Sequence, residues 1–123
     1  MIGYVTIGTN DLELATGFYD ELLGILGARR VFEFERGVYY GRNAMEIGVL
    51  YPYDGRSATP GSCSMIALLA GGQSEVDRLH TKALSLGAVS EDPPMLFGDQ
   101  PLRYYGAYFK DLEGNHLCVY CLV

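Results

Sequence analysis

The sequence predicts an α+β fold, a single domain over residues 1–123 made of two βαβββ modules. Their strands are expected to form a cupped mixed sheet with the helices on its outer face. Three observations carry this expectation. Strand-like and helix-like patterns follow one another in the same order in each half. The helix stop Leu26-Gly27-Ala28 returns 60 residues later as Leu86-Gly87-Ala88. Each half also closes on a hairpin, Tyr39-Tyr40 into Met45–Leu50 in the first and Tyr108-Phe109 into His116–Cys121 in the second. Module 1 is read as about residues 1–52 and module 2 as about 62–123, joined by a crossover at 52–61.

Two segments carry helical periodicity. In the first, Leu14, Ala15, Phe18, Tyr19, Leu22 and Leu26 recur at three- and four-residue spacing. Asn10 is the expected cap, Glu13 its return partner, and Gly27 the stop. In the second, Val76, Leu79, Ala83 and Leu84 share a face, with Ser74 and Asp77 at the start and Gly87 at the end. Short β-branched and aromatic runs predict strands at Gly3–Gly8, Arg30–Phe34, Val38–Gly41, Met45–Leu50, Cys63–Leu69, Tyr104–Lys110 and His116–Cys121. The segment Asp111–Asn115 has the Asp, Gly and Asn of a hairpin loop, and Pro52–Gly61, with two prolines and two glycines, is a loop or crossover.

Composition narrows the function classes. At 49% apolar and 20% charged residues, the chain is ordinary for a globular protein. A formal charge of −6 argues against nucleic acid and anionic membranes as partners, and the Arg29-Arg30 pair does not reverse it. The sequence opens directly into a strand pattern, and no apolar run approaches the roughly 20 residues of a membrane span, so the cytosol is the expected location. The odd cysteine count, Cys63, Cys118 and Cys121, speaks for reduced thiols. Cys118 and Cys121 form a C-x-x-C inside a strand pattern, where positions i and i+3 point to opposite faces, so neither a zinc site nor a compact disulfide is expected there.

Several stretches resemble the vicinal oxygen chelate superfamily, which includes glyoxalase I, bleomycin-resistance proteins and extradiol dioxygenases. They are Gly3–Leu12, Phe18-Tyr19-Asp20 and Tyr105–Asn115, the last similar to a tyrosine, basic residue, Asp-Pro-x-Gly-Asn signature with Leu112 in place of Pro. The segment Pro52–Gly61 is similar to that of small bacterial members. The resemblance covers essentially the whole chain and implies the doubled βαβββ fold, a small-molecule ligand and a homodimer. It leaves the chemistry open, since many activities share one scaffold.

Metal-dependent members carry four ligands, usually His, Gln or Glu, on the first and last strands of each module. The resemblance places these positions at Tyr4 and Glu46 in module 1 and at Met65 and Cys118 in module 2. Of these only Glu46 is a usual ligand, and a phenol and a thioether make a poor site for hard or borderline ions. No metal or other cofactor is therefore expected. His80 reads as a packing residue on the second helix, and His116 as a strand-end residue sharing parity with Cys118.

Strand alternation then lines the cup with Tyr4, Thr6, Glu46, Leu50, Met65, Cys118 and Tyr120, with Arg103 and Tyr105 at its rim. Ten tyrosines suit a pocket wall with hydroxyl handles, or strand edges and a dimer interface. Glu46 is the candidate catalytic residue; its carboxylate is read as attracting a cationic ligand group, as a general base with a raised pKa, or as a structural partner of Arg42 or Arg103. The expected function is binding of a small organic molecule without the usual metal. The alternatives are a metal- or Glu46-dependent lyase, isomerase or dioxygenase, and a non-catalytic dimeric interaction protein.

Overall fold

Alternating apolar residues form strands, and a striped apolar segment forms the one helix that covers them. Both halves of the chain repeat this arrangement. The computed structural model describes residues Met1–Val123 and divides into two compact units, module 1 (Met1–Pro60) and module 2 (Gly61–Val123). Module 1 runs β1 (Val5–Gly8), α1 (Leu12–Gly24), β2 (Arg29–Phe34), β3 (Gly37–Gly41) and β4 (Ile47–Leu50). Module 2 runs β5 (Met65–Leu69), α2 (Gln73–Ser85), β6 (Val89–Phe97), β7 (Tyr104–Lys110) and β8 (His116–Leu122). The sheets have matching strand orders, β1-β4-β3-β2 and β5-β8-β7-β6. In each, the first and last strands pair in parallel and the other pairs are antiparallel.

The repeated tripeptide does the same work twice. Gly27 and Gly87 take positive φ angles of 80° and 106°, open to glycine without a Cβ penalty. That turn lets Ala28 N–H reach the Leu23 carbonyl at 3.1 Å and Ala88 N–H reach that of Ala83 at 2.9 Å, closing both helices alike.

The helix starts differ from expectation. Asp11, not Asn10, caps α1, its carboxylate accepting from Leu14 N–H at 3.1 Å. Helix α2 begins behind Gly72 with no side-chain cap, so Ser74 does not serve; instead Glu75 accepts the Gly71 N–H at 3.0 Å. Strand β6 is not among the expected strands, and it carries Pro93-Pro94. It survives as an edge strand, with register breaks between Ser90 and Asp92 and between Asp92 and Met95, so the prolines remove no interior ladder bond.

Each module has its own core on the helix side of its sheet. In module 1, Phe18, Tyr19, Leu22 and Leu23 of α1 are buried together with Val38, Tyr40, Ile47 and Val49. In module 2, Val76, Leu79 and Ala83 of α2 are buried with Ala107, Phe109, Leu117 and Val119. Burying each large side chain of this kind contributes about 1.5–3 kcal/mol. A polar latch holds α1 to its sheet: the Asp20 carboxylate accepts from Arg30 Nε at 2.8 Å and from the Tyr40 hydroxyl at 2.8 Å. Chiefly the Arg30 bond holds the Asp20 carboxyl below its usual range.

His80 packs between α2 and β6, as the sequence suggests. Its Nε2 lies 3.0 Å from Ser90 Oγ, and its ring meets Phe109 edge-on at 6.5 Å. Burial lowers its pKa from the ordinary 6.5, against the opposing pull of Asp77. The folded chain thus resists a proton that the unfolded chain takes up. His80's contribution to stability is complete above about pH 6.5 and declines as pH falls toward the depressed folded value. Thermal unfolding at pH 7.5 and pH 5 will show a loss of stability at the lower pH, and His80→Gln will reduce that loss.

Candidate functional site

With the helix side of each sheet filled, the opposite side is where a site can form. Register assigns its residues. On module 1, Thr6, Gly48 and Tyr39 stand opposite one another across β1, β4 and β3, as do Gly8, Leu50 and Gly37. Phe32 and Phe34 pair with Tyr39 and Gly37 and share that face. Tyr4 joins it just before β1, where the following Val5 N–H bonds to the Glu46 carbonyl at 3.1 Å.

The result is a continuous aromatic surface. Phe34 stacks on Tyr39 at 6.0 Å and on Phe32 at 5.5 Å, and Tyr4 meets Tyr39 edge-on at 5.0 Å. Tyr39 lies across Gly48, where a Cβ would come within 2.6 Å of its ring, so glycine is required there for close approach. Phe32, Phe34 and Tyr4 are 51%, 36% and 47% exposed, whereas Tyr39 is 9% exposed and forms the floor. Burial, reinforced by a hydrogen bond with Tyr4, raises the Tyr39 pKa and keeps it a neutral phenol. Beside these rings is a concavity of about 620 Å³, whose rim includes Arg36 and Met45. The sequence named Tyr4 for this face but missed Phe32, Phe34 and Tyr39. The available signal was parity, because Val38 and Tyr40 belong to the core and Tyr39 between them must point the other way.

Glu46 is not a poised base. Its Oε1 accepts the Arg42 backbone N–H at 2.9 Å and its Oε2 lies 3.4 Å from the Arg42 guanidinium. The Arg42 backbone bond, followed by its guanidinium, holds the Glu46 carboxyl below its usual range. The raised-pKa reading is therefore corrected: the carboxylate is stabilised in its charged form. Arg103 is exposed, and its carbonyl accepts the Val123 N–H at 3.3 Å.

Module 2 places Met65, Cys118 and Tyr120 on its helix-free side, together with Tyr104, Tyr108 and Phe97. Phe97 stacks on Tyr104 at 5.3 Å and meets Tyr108 edge-on at 5.3 Å, and the Tyr104 and Tyr108 hydroxyls lie 2.7 Å apart. Tyr105, expected at a pocket rim, points to the helix instead and donates to Asp77 at 2.6 Å. The buried Ala107 and Phe109 share its parity, which leaves Tyr104 and Tyr108 for the other face. Burial pushes the Cys118 thiol up, partly offset by Tyr108, so it is a poor nucleophile at neutral pH. The cysteines are free, and Cys118 and Cys121 face opposite sides of β8, opposite Tyr108 and Tyr105.

The equivalence of the modules also needs correction. The Thr9 N–H bond to the Leu50 carbonyl (2.9 Å) and the Ala70 N–H bond to that of Tyr120 (2.8 Å) are the same feature. Counting back from each makes Met65 the counterpart of Tyr4, as expected, but His116, not Cys118, the counterpart of Glu46. Cys118 corresponds to Gly48. By this register the positions that the resemblance implies for metal ligands fall at Tyr4, Glu46, Met65 and His116. This donor set does not suit a hard or borderline divalent ion: two members are a phenol and a thioether. The other two are already engaged, Glu46 by Arg42 and His116 by Glu91 at 3.1 Å from Nδ1.

The crossover folds back onto module 1. The Asn10 side chain clamps Ala58, accepting its N–H at 2.7 Å and donating to its carbonyl at 3.1 Å, as a strand neighbour would. Tyr51 accepts the Leu12 N–H at 3.1 Å on its hydroxyl and the Arg36 guanidinium at 3.1 Å on its carbonyl. These ties enclose a groove of about 470 Å³ beside Thr6 and Leu50, walled by residues 51–59. Removing the clamp with Asn10→Ala will free the crossover and speed tryptic cleavage after Arg56 several-fold. Overall stability will fall by only about 1 kcal/mol, the worth of a typical exchange of hydrogen bonds, as a urea titration will show.

No family profile and no curated protein matches the chain. Solved structures do. A glyoxalase/bleomycin resistance protein from Albidiferax ferrireducens T118 is 31% identical, with a TM-score of 0.91 and 98% of each chain covered. A putative glyoxalase from Bacillus halodurans is 21% identical (TM-score 0.79), with 98% of this chain and 95% of the other covered. The fosfomycin resistance protein FosX from Mesorhizobium loti is 19% identical (TM-score 0.70), with 100% and 92% covered. The paired βαβββ modules and these likenesses define the class, and the chain belongs to the glyoxalase/bleomycin resistance family of the vicinal oxygen chelate superfamily. No helix is long and apolar enough to cross a membrane.

Proposed function

We propose that this protein binds a small organic molecule against the aromatic face of module 1 and does so without a divalent metal. The observation that carries the reading is the half-exposed set Tyr4, Phe32 and Phe34 around the Tyr39 floor, beside a concavity of about 620 Å³. That volume falls within the range of small-molecule sites. Offset and edge-on rings offer a flat ligand both faces and edges to pack against. The metal-free half of the reading is supported by the donor set, in which the usual ligands Glu46 and His116 already have charged partners. The Glu46-dependent enzyme is the weaker reading, because a carboxylate held ionised by Arg42 is a weak base.

The neutral aromatic 1-naphthaleneacetamide serves as probe, titrated by calorimetry. Phe34→Ala will weaken its binding roughly tenfold, the scale expected for losing one aromatic contact and its buried area. Glu46→Gln and added chelator will leave it within twofold. Loss of binding in chelator would overturn the metal-free reading, and an unchanged affinity in Phe34→Ala would move the site elsewhere.

The reading includes a homodimer, as the family resemblance implies. On module 2, Met65, Leu69 and Leu122 are 48%, 58% and 72% exposed, apolar area that self-association would cover. Light scattering at micromolar concentration will give twice the chain mass. A single-chain mass would remove this part of the proposal.

A further inference from the structure

We infer that the ligand of module 1 is an aromatic anion, a carboxylate or phosphate ester, whose acidic group is held by Arg36 with Arg56 in support. The inference rests on the binding reading above and adds the chemical class of the ligand.

Arg36 lies where the two hollows of module 1 meet, lining both the aromatic concavity and the crossover groove. Its guanidinium sits 5.8 Å from the Phe34 ring centroid, so the cation is carried on the same ring that would receive an aromatic ligand. One donor is spent on the Tyr51 carbonyl at 3.1 Å, which fixes the side chain in place and leaves the rest of its planar fork uncommitted. Arg56 lines the groove as well.

Charge accounting within the module singles out these two side chains. Arg30 is bound by Asp20 and Glu33, and Arg42 by Glu46. Arg29, Arg36 and Arg56 form no such bridge, and of these three only Arg36 and Arg56 line the groove. The one carboxylate in the groove, Asp54, accepts the Arg56 backbone N–H at 3.0 Å, an Asx turn that shapes the loop. Hydroxyl groups of Thr6, Ser57 and Thr59 supply further donors along the same wall. The chain's net charge of −6 opposes an anion at long range. Over more than about 8 Å, however, physiological salt screens that field, and the contact with an unpaired guanidinium decides the affinity. A ligand with a ring on Phe34 and Tyr39 and an acid one or two bonds away would reach Arg36 without leaving the aromatic face.

The test compares 1-naphthaleneacetic acid with 1-naphthaleneacetamide, two molecules of one shape that differ in charge. On the intact protein the acid is expected to bind about tenfold more tightly, the scale of one charge-assisted hydrogen-bonded pair. Arg36→Met should abolish this preference, so that acid and amide bind that variant with equal affinity. Arg56→Met, on the exposed crossover, should reduce the preference about threefold and stands as a second arm if Arg36→Met fails to fold. Raising salt from 50 to 500 mM should weaken the acid and not the amide. Equal affinities of acid and amide on the intact protein would overturn the anion inference and leave the aromatic-face reading standing. Absence of binding by both would overturn the two together. An acid preference that persists in both arginine variants would also overturn the assignment.

Discussion

Each sheet of this protein has a single helix to pack against, and that shortage of cover governs everything else. A strand's side chains alternate between two sides, and one helix buries only one of them. In module 1, Phe18, Tyr19 and Leu22 of α1 take up Val38, Tyr40, Ile47 and Val49. Tyr39 and Tyr40 are adjacent in sequence and meet opposite fates as a result. Tyr40 is sealed under the helix with its hydroxyl on Asp20, whereas Tyr39 becomes the floor of an open aromatic surface. The same division in module 2 sends Tyr105 to Asp77 and leaves Tyr104 and Tyr108 on the free side.

Polar side chains follow a related economy. The polar and charged side chains nearest the sheets are largely satisfied inside their own modules, as Asp20 with Arg30, Glu46 with Arg42, and Glu91 with the His116 ring nitrogen. Exposed pairs of this kind add little stability, about 0–1 kcal/mol each. Their larger effect is on chemistry, since Arg42 holds the Glu46 carboxyl below its usual range and so makes it a weaker base. Arg36, by contrast, is engaged by a carbonyl and a ring and by no acid.

Duplication shows which features belong to the scaffold and which to the site. Backbone devices are shared: the glycine stops after both helices, the parallel pairing of first and last strands, and the bond that ties Thr9 or Ala70 to the last strand. Free-face side chains are not. Tyr4 corresponds to Met65, Glu46 to His116, Gly48 to Cys118 and Leu50 to Tyr120. A fold held by its helix-side core tolerates such divergence on the other side, and one architecture can host many ligands for that reason.

The sequence by itself determined the class of fold and the repeat, because helix periodicity, strand alternation and glycine stops are local properties of the chain. It also determined that Tyr4, Thr6, Leu50, Met65, Cys118 and Tyr120 stand on the helix-free side, since parity within a strand is a matter of counting. Tertiary structure decided what counting could not reach. Strand β6 is stable despite Pro93-Pro94 because it lies at a sheet edge, and an edge is a property of the sheet rather than of the segment. The counterpart of Glu46 proved to be His116 because strand register depends on hydrogen bonds between segments about fifty residues apart in sequence. Phe32, Phe34 and Tyr39 became one surface only when β2 and β3 paired, because parity orients a side chain within its strand but does not say which strands lie side by side.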